Sequence, residues 1–146
     1  MGGLASIDHL RYAPEYLRGI LERTRTIAVV GASPEPWRAS YGVTAYLKRA
    51  GYRIIPVNPT AVGERVHEEA VVAALADIRE PIDLVNVFRR PQFLPGVVEE
   101  AIAAGAPALW MQLGIRREGA KDRAEAARLA VVMDRCISVE HRRLFG

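Results

Sequence analysis

With 146 residues, half of them apolar, the chain has the length and composition of one globular domain with a real core, not of a disordered segment. Its 20 basic and 17 acidic residues leave a formal charge of +3, carried mainly by scattered arginines (Lys48 and Lys121 are the only lysines), which is a poor footprint for nucleic acid. No apolar run is long enough for a membrane span, the first fifteen residues (MGGLASIDHLRYAPE) lack the pattern of a secretory leader, and one cysteine excludes an internal disulfide, so a cytoplasmic protein without a membrane partner is expected.

Residues 1–25 read as an N-terminal helical extension, with Leu10, Ala13, Leu17, Ile20 and Leu21 as its apolar stripe and Pro14 in a first turn. A first strand is expected over 26–31, a helix over 41–50 and a second strand over 52–57. A helix follows over 68–76, with Val71, Val72 and Leu75 inward. The third strand is 82–88. The stripe Leu94, Val97, Val98, Ala101 and Ile102 marks the next helix, stopped by Gly105. A fourth strand runs over 108–111, an alanine-lined helix over 120–130 and a fifth strand over 131–135. Ser138 is placed to cap a last short helix through Leu144.

Strands alternating with helices imply parallel pairing and right-handed crossovers. The expected fold is therefore a single α/β, Rossmann-like, doubly wound domain over 1–146. It has about five parallel strands in the order 3-2-1-4-5 and the N-terminal helix added. In such a sheet ligands sit outside the carboxyl ends of the strands, where the order reverses. That rule gathers Gly31, Asn58, Phe88 and Gln112 around one mouth.

The most informative stretch is 27–42, IAVVGASPEPWRASYG. An apolar run breaks at Gly31, a loop of small residues follows, and a helix begins near Ser40 or Gly42. Strand, small-residue loop and helix N-terminus together form a phosphate cradle. Gly31, Ala32 and Ser33 let the backbone approach phosphate oxygens, and Ser33 and Ser40 can donate to them; a tight turn with Ser40 as helix cap is the structural alternative. Arg38 can pair with a phosphate or simply meet solvent. A dinucleotide loop normally reads G-x-G-x-x-G, with an acid about 20 residues later on the ribose. Here Ser33 and Pro36 replace the second and third glycines, and the second strand ends at Asn58-Pro59 without a carboxylate.

Six blocks in order, VVGAS (29–33) with Ser40, PVNP (56–59), DLVNVFR (83–89), LWMQLG (109–114) and VVMDRC (131–136), resemble the small bacterial CoA-binding proteins. Those resemble the N-terminal CoA-binding domain of the succinyl-CoA synthetase alpha subunit, standing alone. The resemblance covers 26–144. It implies CoA or a short acyl-CoA as the bound cofactor, with no established reaction. Pro56, Asn58 and Pro59 match the segment beside the adenosine end. Phe88 is placed to lie against adenine and Arg89 or Arg90 to meet phosphate, a core phenylalanine and two surface charges being the structural alternative; Gln112, with Gly114 in the same block, is placed to bond the pantetheine amides. Related ligases hold the 3′-phosphate with a lysine near 58, and this chain has none there.

The chemistry-bearing residues outside these blocks give no catalytic set. His9, His67 and His141 have no metal spacing, and Glu140 and His141 diverge on a helix. The histidine that such ligases phosphorylate belongs to a second domain absent from this chain. Cys136 reads as a small buried apolar residue or as a thiol near a CoA thiol. Three functions compete: a stand-alone CoA-binding module, an NAD(P)-dependent oxidoreductase with an atypical loop, and the CoA-binding half of a split acyl-CoA ligase. The last needs a separate partner chain, and a homo-oligomer is compatible with all three.

Overall fold

Five short apolar runs pair as parallel strands because each is buried on both faces, and helices return the chain between most of them. The computed structural model describes residues 6–146, so residues 1–5 of the expected extension lie outside it. In chain order the elements are α1 (Pro14–Arg23), β1 (Thr26–Val30), α2 (Ala39–Arg49), β2 (Arg53–Val57), the short strands β3 (Arg65–Val66) and β4 (Glu69–Ala70), β5 (Leu84–Val87), α3 (Leu94–Ala103), β6 (Ala108–Met111), α4 (Glu118–Ala126), β7 (Ala130–Val132) and α5 (Ile137–Phe145). The main sheet has the order β2-β1-β5-β6-β7.

Strand alternation divides the core into two layers. Val85, Val87, Leu109, Met111 and Val131 pack with Leu94, Val97, Val98, Ala101 and Ala124 of α3 and α4. Ile27, Val29, Leu84, Trp110 and Val132 pack with Leu17, Ile20, Val43, Leu47 and Ile137 of α1, α2 and α5. Right-handed crossovers account for the division: β1 to β2 runs one way across the sheet and β5 to β7 the other, so their helices fall on opposite faces.

The α/β, Rossmann-like architecture is as expected, but the strand order is not. Counting the five long strands, the order is 2-1-3-4-5, not 3-2-1-4-5. The cause is Pro56. Its carbonyl faces away from β1 and accepts the Val72 amide at 3.0 Å. The missing N–H of Pro56 lies on that same outward side, so β2 cannot support a full ladder there and becomes an edge strand. A single parallel bridge, Val57 to Val72, covers the edge. The third long strand, β5, pairs instead with the free side of β1, setting Val29 opposite Asn86.

The helix expected over 68–76 is also replaced. The segment folds as a hairpin, with Arg65 opposite Ala70, followed by a 3-10 turn at Leu75–Asp77. The two turn residues, His67 and Glu68, both take positive φ, 48° and 74°, as a two-residue hairpin of this type requires. Contacts outside the hairpin hold it. His67 Nε2 lies 2.7 Å from the Tyr41 carbonyl, and Glu69 pairs with Lys48 at 3.1 Å and Arg53 at 2.9 Å.

The other free edge, β7, is covered by the N-terminal extension. The Tyr16 hydroxyl donates to the Val131 carbonyl at 2.8 Å and accepts the Val131 amide at 2.9 Å, and the Tyr12 hydroxyl accepts the Met133 amide at 2.7 Å. Burial raises the Tyr16 phenol to about 12, so it stays a donor at any ordinary pH. Leu10 precedes the helix and is 76% exposed, so it takes no part in the apolar stripe. At the other terminus Cys136 is the N-cap residue of α5, and Ser138 lies inside the first turn.

Candidate functional site

The reversal of strand order falls between β1 and β5, and the mouth outside it is a cleft of about 510 Å³. Its floor is Gly31, with φ +86° and its amide donating to the Val57 carbonyl at 2.9 Å. One wall is the loop 33–38 and the first turn of α2, where Ser33, Pro34, Glu35, Arg38, Ala39 and Ser40 line the space. The opposite wall is the segment after β2, with Asn58, Thr60, Ala61 and Glu64. Phe88, just beyond β5, completes the lining.

Side chains bind the loop into one shape. The Ser40 hydroxyl, buried in the first turn of α2, accepts the Ser33 amide at 3.1 Å, and the Ser33 hydroxyl accepts the Glu35 amide at 3.0 Å. Ser40 is therefore not the helix cap; Arg38 occupies that position, without a capping side-chain bond. Asn58 joins the two walls. Its Nδ2 donates to the Ala32 carbonyl at 2.8 Å, and its Oδ1 accepts the Thr60 amide and hydroxyl at 3.0 and 2.8 Å.

The electrostatics of the cleft are asymmetric. The first turn of α2 contains no acidic residue and has no side-chain cap, and Arg38, Ala39 and Ser40 at its start line the cleft, so the positive end of the helix dipole lies beside the space. Arg38 adds a cation, held by Glu35 at 3.1 Å with both side chains substantially exposed. Glu64 adds a carboxylate on the far wall.

Of the residues singled out from the sequence, Gly31, Ser33, Arg38, Ser40, Asn58 and Phe88 line this one cleft. Ala32 is fully buried behind it. Pro56 lies within β2, and Pro59 is exposed beyond it. The Arg89 guanidinium stacks 4.1 Å over the Phe93 ring, while its Cδ lies beside Gly31. Gln112 is buried, and its Oε1 accepts the Ile137 amide at 3.0 Å, which fixes the start of α5. Gly114 sits in a turn closed by Asp134 at 2.7 Å. The lining residues Pro34, Glu35, Ala39, Thr60, Ala61 and Glu64 were missed. The segment 58–64 leaves a strand end beside Gly31, so its position in the chain was the available signal.

Cys136 is half-buried, with Sγ 3.2 Å from the Ser138 hydroxyl. Burial pushes its thiol up, but hydrogen bonds from the Ser138 hydroxyl, the Val139 amide, Gln112 and the Ser138 amide outweigh it and leave the thiol below its ordinary value. Among the described residues no group of three or more His, Cys, Asp or Glu is placed to hold a metal.

Known proteins share this architecture and much of this sequence. A protein of Bacillus subtilis (strain 168), the uncharacterized protein YneT, is 46% identical over 125 residues, 86% of this chain and 91% of its own. The solved structure of a hypothetical protein from Pyrococcus horikoshii OT3 superimposes with a TM-score of 0.89 at 37% identity, covering the whole of both chains. The dinucleotide forming acetyl-coenzyme A synthetase 1 of Ca. Korarchaeum cryptofilum shares the fold alone, with a TM-score of 0.64 at 20% identity over 73% of this chain and 25% of its own. The family model of the CoA binding domain matches residues 25–142, from the start of β1 into α5, and so spans every strand and both walls of the cleft. The chain belongs to the CoA binding domain family.

Proposed function

We propose that the protein is a stand-alone binding module for CoA or a short acyl-CoA, acting in the cytosol. The observation that carries the reading is the uncapped N-terminus of α2, which opens with Arg38 into a cleft whose floor is the side-chain-free Gly31. That end of the cleft suits a diphosphate: free helix amides and a guanidinium offer charge-assisted hydrogen bonds. Asn58 and Phe88 border the space assigned to the adenosine, and the Arg89 side chain, whose Cδ lies beside Gly31, is the cation assigned to a phosphate there. Membership of the CoA binding domain family selects CoA from among the phosphate ligands that the geometry admits. Gln112 is assigned to holding α5 and not to the ligand, because its carbonyl oxygen is already bonded.

A second reading has one observation behind it. The same fold makes up about a quarter of an acetyl-coenzyme A synthetase chain, so this protein would serve as the CoA-binding part of a ligase completed by a separate chain. The lone thiol suits a reducing compartment, and no helix among the described residues is long and apolar enough to cross a membrane. Titration of CoA and of NADH into ligand-stripped protein tests the assignment. CoA is expected to bind the more tightly. Tighter NADH binding would favour the oxidoreductase and overturn the proposal.

A further inference from the structure

Three residues of acidic or basic type line the cleft: Glu35, Arg38 and Glu64. Glu35 is neutralised by Arg38 at 3.1 Å. Glu64 forms neither an ion pair nor a side-chain hydrogen bond among the described residues. The nearest arginine in the chain, Arg65, is turned away and donates to the Glu68 carbonyl at 2.8 Å. The wall opposite α2 therefore carries a carboxylate with no cation paired to it among the described residues.

Backbone hydrogen bonds fix the course of the chain through Glu64. The Ala61 amide donates to the Asn58 carbonyl at 3.2 Å, the Glu64 amide to the Ala61 carbonyl at 3.0 Å, and the Val71 amide to the Glu64 carbonyl at 3.1 Å. Ala61 is buried beneath the turn. The segment thus has a set course from the end of β2 to the hairpin, with Glu64 on the cleft side.

We propose that Glu64 is a specificity-determining residue. Its carboxylate accepts hydrogen bonds from the free hydroxyls of the adenosine ribose and repels a 3′-phosphate. The CoA-type ligand that this cleft prefers is then one with an unphosphorylated ribose, of which dephospho-CoA is the simplest. This rests on the reading above, in which the diphosphate lies at α2 and the adenosine beside Asn58. The physical logic is general. A carboxylate bonds a diol through charge-assisted hydrogen bonds, and a phosphate dianion in the same place meets like charge. Dinucleotide-binding folds separate plain from phosphorylated ribose in this way.

The test is calorimetric titration of CoA and dephospho-CoA into wild type and Glu64→Gln, with thermal melting to confirm that the variant is folded. Wild type is expected to bind dephospho-CoA at least as tightly as CoA, and Glu64→Gln to shift the preference toward CoA by roughly tenfold, the size of one like-charge contact in a partly screened cleft. A wild type that prefers CoA, or a variant with an unchanged ratio, overturns this proposal and leaves the CoA reading standing. Binding of neither ligand by wild type overturns both.

Discussion

Gly31 is packed against the backbone of Phe88: a Cβ at Gly31 would stand 3.0 Å from the Phe88 carbonyl oxygen. The contact joins the ends of β1 and β5 at the reversal of the sheet. Gly31 also takes φ +86°, a conformation that costs an L-residue about 1–2 kcal/mol before any clash. Gly31→Ala is therefore expected to lower the unfolding free energy by about 2–3 kcal/mol, strain and overpacking together. Urea denaturation checks this, and an unchanged midpoint would show that the floor of the cleft is more yielding than the geometry indicates.

Tyr16 closes the β7 edge by bonding both backbone groups of Val131 through one hydroxyl. Tyr16→Phe leaves both without that partner. A loss of about 1–3 kcal/mol is expected, together with faster amide exchange at Val131. Exchange at Val131 as slow as in wild type would mean that the hydroxyl does not guard the edge.

Asn86 is fully buried in the middle of β5, and neither end of its side-chain amide has a partner among the described residues. It points into the layer of Trp110, Leu84 and α2. An unsatisfied buried amide costs stability, and an apolar side chain of similar shape removes the cost. Asn86→Leu is expected to raise the unfolding free energy by about 1 kcal/mol. A clear loss of stability would show that the amide makes bonds inside the folded protein.

Burial lowers the His141 pKa below its usual 6.5. The imidazole packs against Tyr46, Tyr52 and Phe145, with Nδ1 2.8 Å from the Tyr46 hydroxyl. With the folded value depressed, the unfolded chain binds the proton first as pH falls. Stability from the neutral ring is then present above pH 6.5 and is lost between that value and the lower folded one. Denaturation of wild type and His141→Gln between pH 8 and pH 5 is expected to show a smaller acid loss in the variant. Parallel curves would remove His141 from the account.

The sequence made the strands and the loop after β1 legible because both are local: apolar runs bounded by glycine and proline need no partner to be read. Strand order was harder, since it turned on which side of β2 the missing N–H of Pro56 faces. The hairpin at His67-Glu68 escaped because its positive φ values are sustained by Tyr41, Lys48 and Arg53, all distant in sequence. Half of the candidate site residues meet in the cleft. Gln112 does not, because the start of α5 takes its carbonyl oxygen, a demand visible only after the helices are packed.

In the proposed function the N-terminus of α2, with Arg38, holds the diphosphate of a CoA-type ligand. The most direct measurement is calorimetric titration of CoA into ligand-stripped wild type and Arg38→Glu. Arg38 is exposed, and among the described residues its one ion pair is to Glu35, so the variant should melt with wild type. CoA is expected to bind wild type, with affinity at least tenfold lower in Arg38→Glu, the equivalent of about 1.4 kcal/mol. Equal affinity in the two proteins would contradict it and place the diphosphate elsewhere.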